Sequence, residues 1–402
     1  MSSSKLLRIS PLALAAAQLF CVAANAADAS LPVIEVVGNT PLSGGTTALT
    51  DASSNVQVIK FKNIHDQGSS NVADTLNANL GSVSVSNGSG NPYQNDVNYR
   101  GFQATSLLGA PVSLSVYFDG VRMNEAFGSI VNWDLIPMNA ISEIEVMPGS
   151  NPLFGLNTLG GAVVVNTKNG QDNEGSTLNV LGGSFHRRAV SMETGWNDKE
   201  SGSDFFLAGN LDAQDGYREY SNTRVGQLYG KARWHDEATG RRLELSMAYA
   251  NTDLNGTQSL PMDMMTNIQS AYTWPDKTSN QMGLVNLKGS QQLNERNLLT
   301  GNLYYKKSNS EVVNSNAQLD DGCSNANGTL AVISGTNTYK CANMAPNGTA
   351  VNSVTGASAL ALGYGRWTSN INTSLVDSTT TQKTVGMGLE WANTDDLAGM
   401  KN

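Results

Sequence analysis

Eight stretches beyond residue 170 alternate apolar and polar side chains residue by residue, and this alternation constrains the chain more than any other feature. Leu243, Leu245, Met247 and Tyr249 are apolar, while Glu244, Ser246, Ala248 and Ala250 between them are polar or small. The same period sets Val190, Met192 and Trp196 against Ser191 and Glu193, and Leu228, Ala232 and Trp234 against Gln227, Lys231 and Arg233. It returns in Leu299, Leu303 and Tyr305 against Thr300, Asn302 and Lys306, and in Val385, Met387, Leu389 and Trp391 against Gly386, Gly388 and Glu390. A strand turns successive side chains to opposite faces, so one face suits hydrocarbon and the other suits water or a polar filling. The strands are expected near 177–184, 187–196, 204–213, 225–235, 241–252, 280–290, 295–308 and 379–392. Linkers 197–203, 236–240 and 291–294 are short, whereas 253–279 and 309–378 are long, unpatterned and rich in Asn, Gly and Ser. Tight turns alternating with long loops mark a transmembrane barrel. A soluble β-sandwich with two insertions is the alternative. Trp196, Trp234, Tyr249, Tyr305 and Trp391 are expected near strand ends as interfacial girdle residues.

The start of the chain reads as an export signal. Lys5 and Arg8 precede a largely apolar run from Pro11 to Ala24, and Ala24-Asn25-Ala26 offers a small-x-small cleavage site. The run is too short to span a bilayer, and the mean hydropathy of −0.26 excludes a helical membrane bundle but not a barrel. A net charge of −9 argues against nucleic acid as a partner.

Between Asn71 and Gly170 the pattern changes to short strands, such as Leu114–Phe118, Ile144–Met147 and Ala162–Asn166, separated by turn-forming Gly, Asn, Pro and Asp. Three elements stand in order: Tyr99-Arg100-Gly101-Phe102, Tyr117-Phe118-Asp119-Gly120-Val121-Arg122, and Glu143-Ile144-Glu145-Val146 running on to Leu159-Gly160-Gly161-Ala162-Val163. Together they resemble the plug domain of TonB-dependent outer-membrane receptors. The resemblance implies a mainly β protein: a signal peptide over 1–26, a periplasmic segment over 27–50, an α+β plug over 51–170 and the first strands of an antiparallel transmembrane β-barrel over 171–402. A plug of this size has a radius of gyration of ~14 Å, too large for an eight-stranded barrel, and the resembling proteins have about 22 strands. The chain is therefore expected to be a truncated form, unable to insert alone because open sheet edges cannot lie in lipid.

The resemblance also assigns roles. Val33, Ile34, Glu35, Val36, Val37 and Gly38 are apolar and β-branched, and match a TonB box, which adds as a strand to TonB and its inner-membrane energy complex. An ordinary first strand of the plug is the alternative. Three outward plug loops are expected to meet the ligand through Tyr93, Gln94, Asn95, Asp96, Ser106, Asn124, Glu125 and Phe127, an aromatic and hydrogen-bonding set suited to a bulky polar ligand such as a metal chelate. Arg100, expected on a strand, needs a carboxylate to lock plug to barrel. Glu143 and Glu145 are candidate partners on the plug, and Glu193, Asp212 and Glu244 on the barrel. The implied function is TonB-dependent uptake of a ferric siderophore or other metal chelate, by a receptor that is a monomer when full length and sits in outer-membrane lipid. A passive porin-like channel or adhesin, or a secreted β-rich module, are the other readings.

Enzyme signals are weak. His65, His186 and His235 have no metal-ligand spacing, and no GxSxG, HExxH or P-loop occurs. No cofactor or resident metal is expected. Met262, Met264 and Met265, with Met282 nearby, could hold Cu(I), although loop packing is the simpler account. In an exported chain Cys323 and Cys341 form an even pair, and a disulfide between them would contribute ~3 kcal/mol through loop closure; two free thiols are the alternative.

Overall fold

The computed structural model describes residues 36–38, 40–42, 46–52, 54–106, 112–260, 265–271, 274–317, 324–326, 329–334, 337–342, 350–351 and 373–394. Val33, Ile34, Glu35, Met262, Met264 and Cys323 lie outside them.

The first part of the chain builds a two-sided core. Strands β1 (Val36–Gly38) and β2 (Thr46–Ala48) form an antiparallel pair. A five-stranded sheet follows from β3 (Gln57–Lys60), β7 (Leu114–Phe118), β8 (Val121–Arg122), β9 (Ile141–Pro148) and β10 (Gly161–Thr167), in the order β3-β9-β10-β7-β8. Only β10 and β7 run parallel. A smaller sheet joins β4 (Val83–Ser86), β5 (Asp96–Tyr99) and β6 (Phe102–Ala104). Every residue of β7 is buried, as expected where both sheet faces are covered. Val116, Phe118, Ile144, Val146 and Val165 pack on one face with Trp133, and Tyr117, Met147, Phe154 and Val164 on the other. Helices α1 (Phe61–Gln67) and α2 (Val72–Asn79) lie between β3 and β4. Asn71 caps α2, its side chain accepting from the Asp74 amide at 2.9 Å, and so supplies one of the helix's unpaired first-turn N–H groups with a partner.

Two of the sequence elements are two-residue hairpins. Tyr99 pairs with Phe102 across Arg100 (φ 52°) and Gly101 (φ 88°), and Phe118 pairs with Val121 across Asp119 (φ 48°) and Gly120 (φ 81°). Positive φ at both central residues is the type I′ geometry, whose twist matches that of the strands it joins and which favours Gly at the second position. The third element closes on the first: a Cβ at Gly160 would stand 2.3 Å from the Phe102 side chain.

The second part is a single meander of long strands: β11 (Gly175–Gly182), β12 (Arg188–Asp198), β13 (Ser203–Gln214), β14 (Thr223–Asp236), β15 (Arg241–Asn255), β16 (Asp276–Asn294), β17 (Asn297–Ala317) and β22 (Thr373–Asn393). The eight expected strands all form, and the last three of the expected list run longer than the alternation alone shows. β11 and β22 are the two edges, each with one neighbour among the described residues, so the wall is an open arc. Residues 199–202, 237–240 and 295–296 make tight turns at one end, while the longer connections 183–187, 215–222, 256–275 and 318–372 lie at the other. The last of these, expected to be unpatterned, contains a four-stranded antiparallel sheet, β18 (Ser324–Ala326), β19 (Thr329–Ser334), β20 (Asn337–Ala342) and β21 (Ala350–Val351). Cys341 lies on β20; with Cys323 outside the described residues, the disulfide remains an expectation of the sequence.

The wall has the polarity expected of a barrel. Leu228, Leu243, Met247, Tyr249, Leu303, Val385, Met387 and Leu389 are exposed, whereas Lys231, Ser246, Ala248, Ala250, Asn302 and Lys306 are buried against the first part of the chain. Trp196, Trp234 and Trp391 line up at the tight-turn end, as a girdle should. Tyr249 and Tyr305 do not belong to that row, because each lies well inside its strand.

Candidate functional site: the junction of plug and wall

The first part of the chain fills the concave side of the wall, and charged groups tie the two together. The Asp119-Gly120 turn aims the Asp119 carboxylate at the wall. There it accepts from the Tyr229 hydroxyl at 2.5 Å and meets the Lys231 ammonium at 3.3 Å, while the Thr167 hydroxyl donates to it at 2.7 Å. Burial pushes this carboxyl up, but Lys231 and the hydrogen bonds from Tyr229 and Thr167 outweigh it and hold the group below its ordinary range. Lys231 also lies 3.5 Å from Glu244 on the neighbouring strand.

Two further pairs cross the same junction. Glu125 is 3.5 Å from Lys306 of β17 and accepts from the Ser308 hydroxyl at 2.8 Å. Lys168, just past β10, pairs with Glu193 of β12 and lies 3.6 Å from the Phe61 ring centre. Burial lowers the Lys168 ammonium, and Glu193 opposes that shift. Hydrogen bonds add to these: the Tyr93 hydroxyl donates to Asp212 at 2.8 Å, the Thr252 hydroxyl to Asp134 at 2.5 Å, and the Gln227 amide to the Asp134 carbonyl at 2.7 Å. Burial raises the carboxyl of Asp134, which has Thr252 and Asn280 as side-chain partners.

This changes the roles of several residues singled out in the sequence. Arg100 is not on a strand and does not lock plug to wall: it caps a hairpin, is exposed, has no ion pair among the described residues, and lies 5.1 Å from the Tyr99 ring centre. Glu143 pairs with Lys60 at 2.7 Å within the plug, and Glu145 accepts from the Asn166 side chain at 2.9 Å, also within the plug. Glu193, Asp212 and Glu244 do face inward, but Glu193 meets Lys168, Asp212 meets Arg187 at 2.8 Å and Glu244 meets Lys231. The cations that matter, Lys168, Lys231 and Lys306, were not singled out. Lys231 and Lys306 were legible in part, as charges on the inward parity of strands whose other face is apolar.

The expected ligand loops divide in the same way. Tyr93, Asn95, Asn124 and Glu125 are buried and bonded: Asn95 to Asp74 at 3.2 Å, and Asn124 to the Val116 amide at 2.8 Å. Asp96 is half-buried and accepts from the Thr105 hydroxyl, and Gln94 and Ser106 are half-buried. Phe127 alone of the set is exposed, with its amide donating to Gln382 of β22 at 2.7 Å. Of the methionines, Met265 is exposed in a connecting loop, whereas Met282 is buried in the core of the junction, so these two do not share a site.

The start of the described chain is docked rather than free. Val36–Gly38 is paired with Thr46–Ala48, Val37 is buried, and the Gly38 amide donates to Glu145 at 3.4 Å. Burial first, and Glu143 second, push the Glu145 carboxyl up to about 7. Two residues on, the Thr40 hydroxyl donates to Glu390 at 2.6 Å, close to the tight-turn end of β22.

Residues 48–162 match the family model described as the TonB-dependent receptor plug domain. Over 183 residues the chain is 26% identical to the vitamin B12 transporter BtuB of Vibrio vulnificus (strain CMCP6), a match that covers 45% of this chain and 28% of the relative. Its fold is similar to that of the siderophore receptor PiuA from Acinetobacter baumannii (TM-score 0.54, 18% identity, 88% of this chain and 45% of that one). It is likewise similar to the ferripyoverdine receptor of the outer membrane of Pseudomonas aeruginosa (TM-score 0.57, 11% identity, 76% of this chain and 40% of that one). The chain thus spans less than half the length of these relatives. A plug that fits its family model over residues 48–162, seated by buried ion pairs in an arc of strands with apolar outer faces, makes the chain similar to the TonB-dependent receptors.

Proposed function

We propose that the chain is the plug and leading wall segment of an outer-membrane receptor that takes up a large polar ligand, a ferric siderophore or other metal chelate, with energy delivered through TonB. The observation that carries this reading is the docking of Val36–Gly38. That strand is held by three register pairs to β2 and by one amide bond to Glu145, so a pull on it reaches the plug sheet through β9. A TonB strand adding at residues 33–38 supplies main-chain hydrogen bonds that can replace those to β2. Force applied there then loads the buried pairs Asp119–Lys231, Glu125–Lys306 and Lys168–Glu193, which hold the plug shut. The ligand would meet the plug on the side of the long connections, where Phe127 is exposed. The relatives include proteins described as siderophore receptors and as a vitamin B12 transporter, which supports a bulky polar ligand.

Deleting residues 33–38 tests the reading. Ligand binding at the cell surface is retained and uptake of ferric chelates is lost. Unchanged uptake would identify a passive channel, and binding without uptake in the intact receptor would identify an adhesin.

A further inference from the structure

The outward face of the wall carries two arginines, Arg188 and Arg224, at the end opposite its tryptophans. Arg188, Ala213, Arg224, Asp253 and Ser279 are register partners across five consecutive strands, so their side chains share one face. That face is the apolar one: Arg188 has the parity of the exposed Val190 and Met192, and Arg224 that of the exposed Leu228. Asp253 pairs with Lys277 at 3.0 Å and accepts from the Ser279 hydroxyl at 2.6 Å, and it also attracts Arg224 directly across from it, so two cations share this one carboxylate. Asp215 is paired with His186 at 2.9 Å, and Arg218 donates to the Gln258 carbonyl at 2.8 Å. Arg188 and Arg224 are exposed and have no hydrogen bond or ion pair from their side chains among the described residues. Both line a groove of about 660 Å³ that also takes in His186, Arg218, Tyr220 and Ser221.

The height of this row matches one face of a bilayer. From Arg224 to Trp234 a strand runs ~34 Å, which at a tilt of ~40° is ~26 Å of height, against an apolar band of about 25 Å. Trp234 thus marks one interface and Arg224 the other, with Leu228 between. The arginines stand on the side of the long connections, which is the outer side in such barrels. An arginine at headgroup level on a lipid-facing surface has phosphate as its natural counter-ion, because its planar fork matches the phosphate oxygens.

We infer that Arg188 and Arg224 form a binding site on the barrel exterior for the phosphate groups of an anionic lipid in the outer leaflet. The site is separate from the plug and from the transported ligand, and holds the receptor at a defined height and orientation in the membrane. Its test uses the whole chain in neutral detergent micelles, titrated with bis-phosphorylated lipid A, with fully dephosphorylated lipid A, and with inorganic phosphate. Lipid A with its phosphates binds, the dephosphorylated form does not, and binding weakens as salt rises. Each of Arg188→Gln and Arg224→Gln weakens binding about fivefold, in line with the electrostatic worth of one cation near an anionic surface. The double variant Arg188→Lys/Arg224→Lys, which keeps the charges but not the planar fork, binds more weakly than the unmodified chain and more tightly than the double glutamine variant, and Lys199→Gln, at the tight-turn end, leaves binding unchanged. Far-UV dichroism and tryptophan emission confirm that the variants keep their fold, and the salt and dephosphorylation arms stand even where a glutamine variant does not. Equal binding of the dephosphorylated lipid, saturation by inorganic phosphate at the same affinity, or full binding by Arg188→Gln/Arg224→Gln overturns the proposal.

Discussion

The plug and the wall obey the same alternation rule and reach opposite results. In the plug, apolar residues such as Leu114, Val116 and Val163 mark the inside of a core closed on both faces. In the wall, Leu228, Met247 and Met387 mark the outside, and the inside carries Lys231, Asn286, Asn302 and Lys306. On the reading proposed above, the difference is what each outer face meets: hydrocarbon for the wall, and the wall's polar lining or water for the plug. Charge is thereby pushed into the junction between them. There it is tolerable only because the buried wall lysines Lys231 and Lys306 each meet a plug carboxylate, and Lys168 of the plug meets a wall carboxylate.

The sharpest way to break the comparison is to unbalance the junction. Lys231→Met leaves Asp119 buried with only hydroxyl and amide donors, and should destabilise the assembly by about 3–5 kcal/mol. The measure is the denaturant midpoint in micelles, and Asp119→Asn combined with Lys231→Met recovers much of the loss. A second pair of variants separates the two solvents. Leu114→Ala opens a cavity in the plug core and costs about 2–5 kcal/mol in micelles and in bilayers alike. Leu228→Arg costs roughly 2–4 kcal/mol when the wall faces lipid, and far less when that face is wet. Equal effects of Leu228→Arg in lipid and in water would remove the basis for calling the wall transmembrane.

A smaller effect tests the turn that aims Asp119. Gly120 has φ 81°, and a Cβ there would stand 3.0 Å from the Pro41 carbonyl. Gly120→Ala should therefore cost about 1–2 kcal/mol through the left-handed backbone alone. The mildest effect concerns pH. The Glu145 carboxyl is raised to about 7 in the folded chain from an ordinary value of 4.5, so folding favours its protonated form. That contribution is fully present below about pH 4.5 and is lost as pH rises through about 7. The denaturant midpoint should therefore be higher at pH 5.5 than at pH 8 by an amount that Glu145→Gln removes, and an equal midpoint difference in the unmodified protein and in Glu145→Gln would show that Glu145 does not supply it.

Much of the fold was legible in the sequence, because strand parity is local. The inward and outward assignments along 241–250 and 385–391 follow from period two alone. The candidate site was legible less well. The resemblance places Arg100 on a strand as a lock to the barrel, yet Arg100-Gly101 between pairing residues is a hairpin turn, and turn chemistry takes precedence there. Glu125 and Tyr93 looked like exposed loop groups, since nothing local shows that Lys306 and Asp212 lie opposite them.

By itself the sequence determined where the eight wall strands lie and which face of each is apolar, since both depend on neighbours within a few positions. Only the tertiary structure decided which charges neutralise one another, because Asp119 and Lys231, or Lys306 and Glu125, are brought together by how the plug seats in the wall. A buried ion requires a counter-ion within a few ångströms, and that requirement is met in space with no fixed interval along the chain.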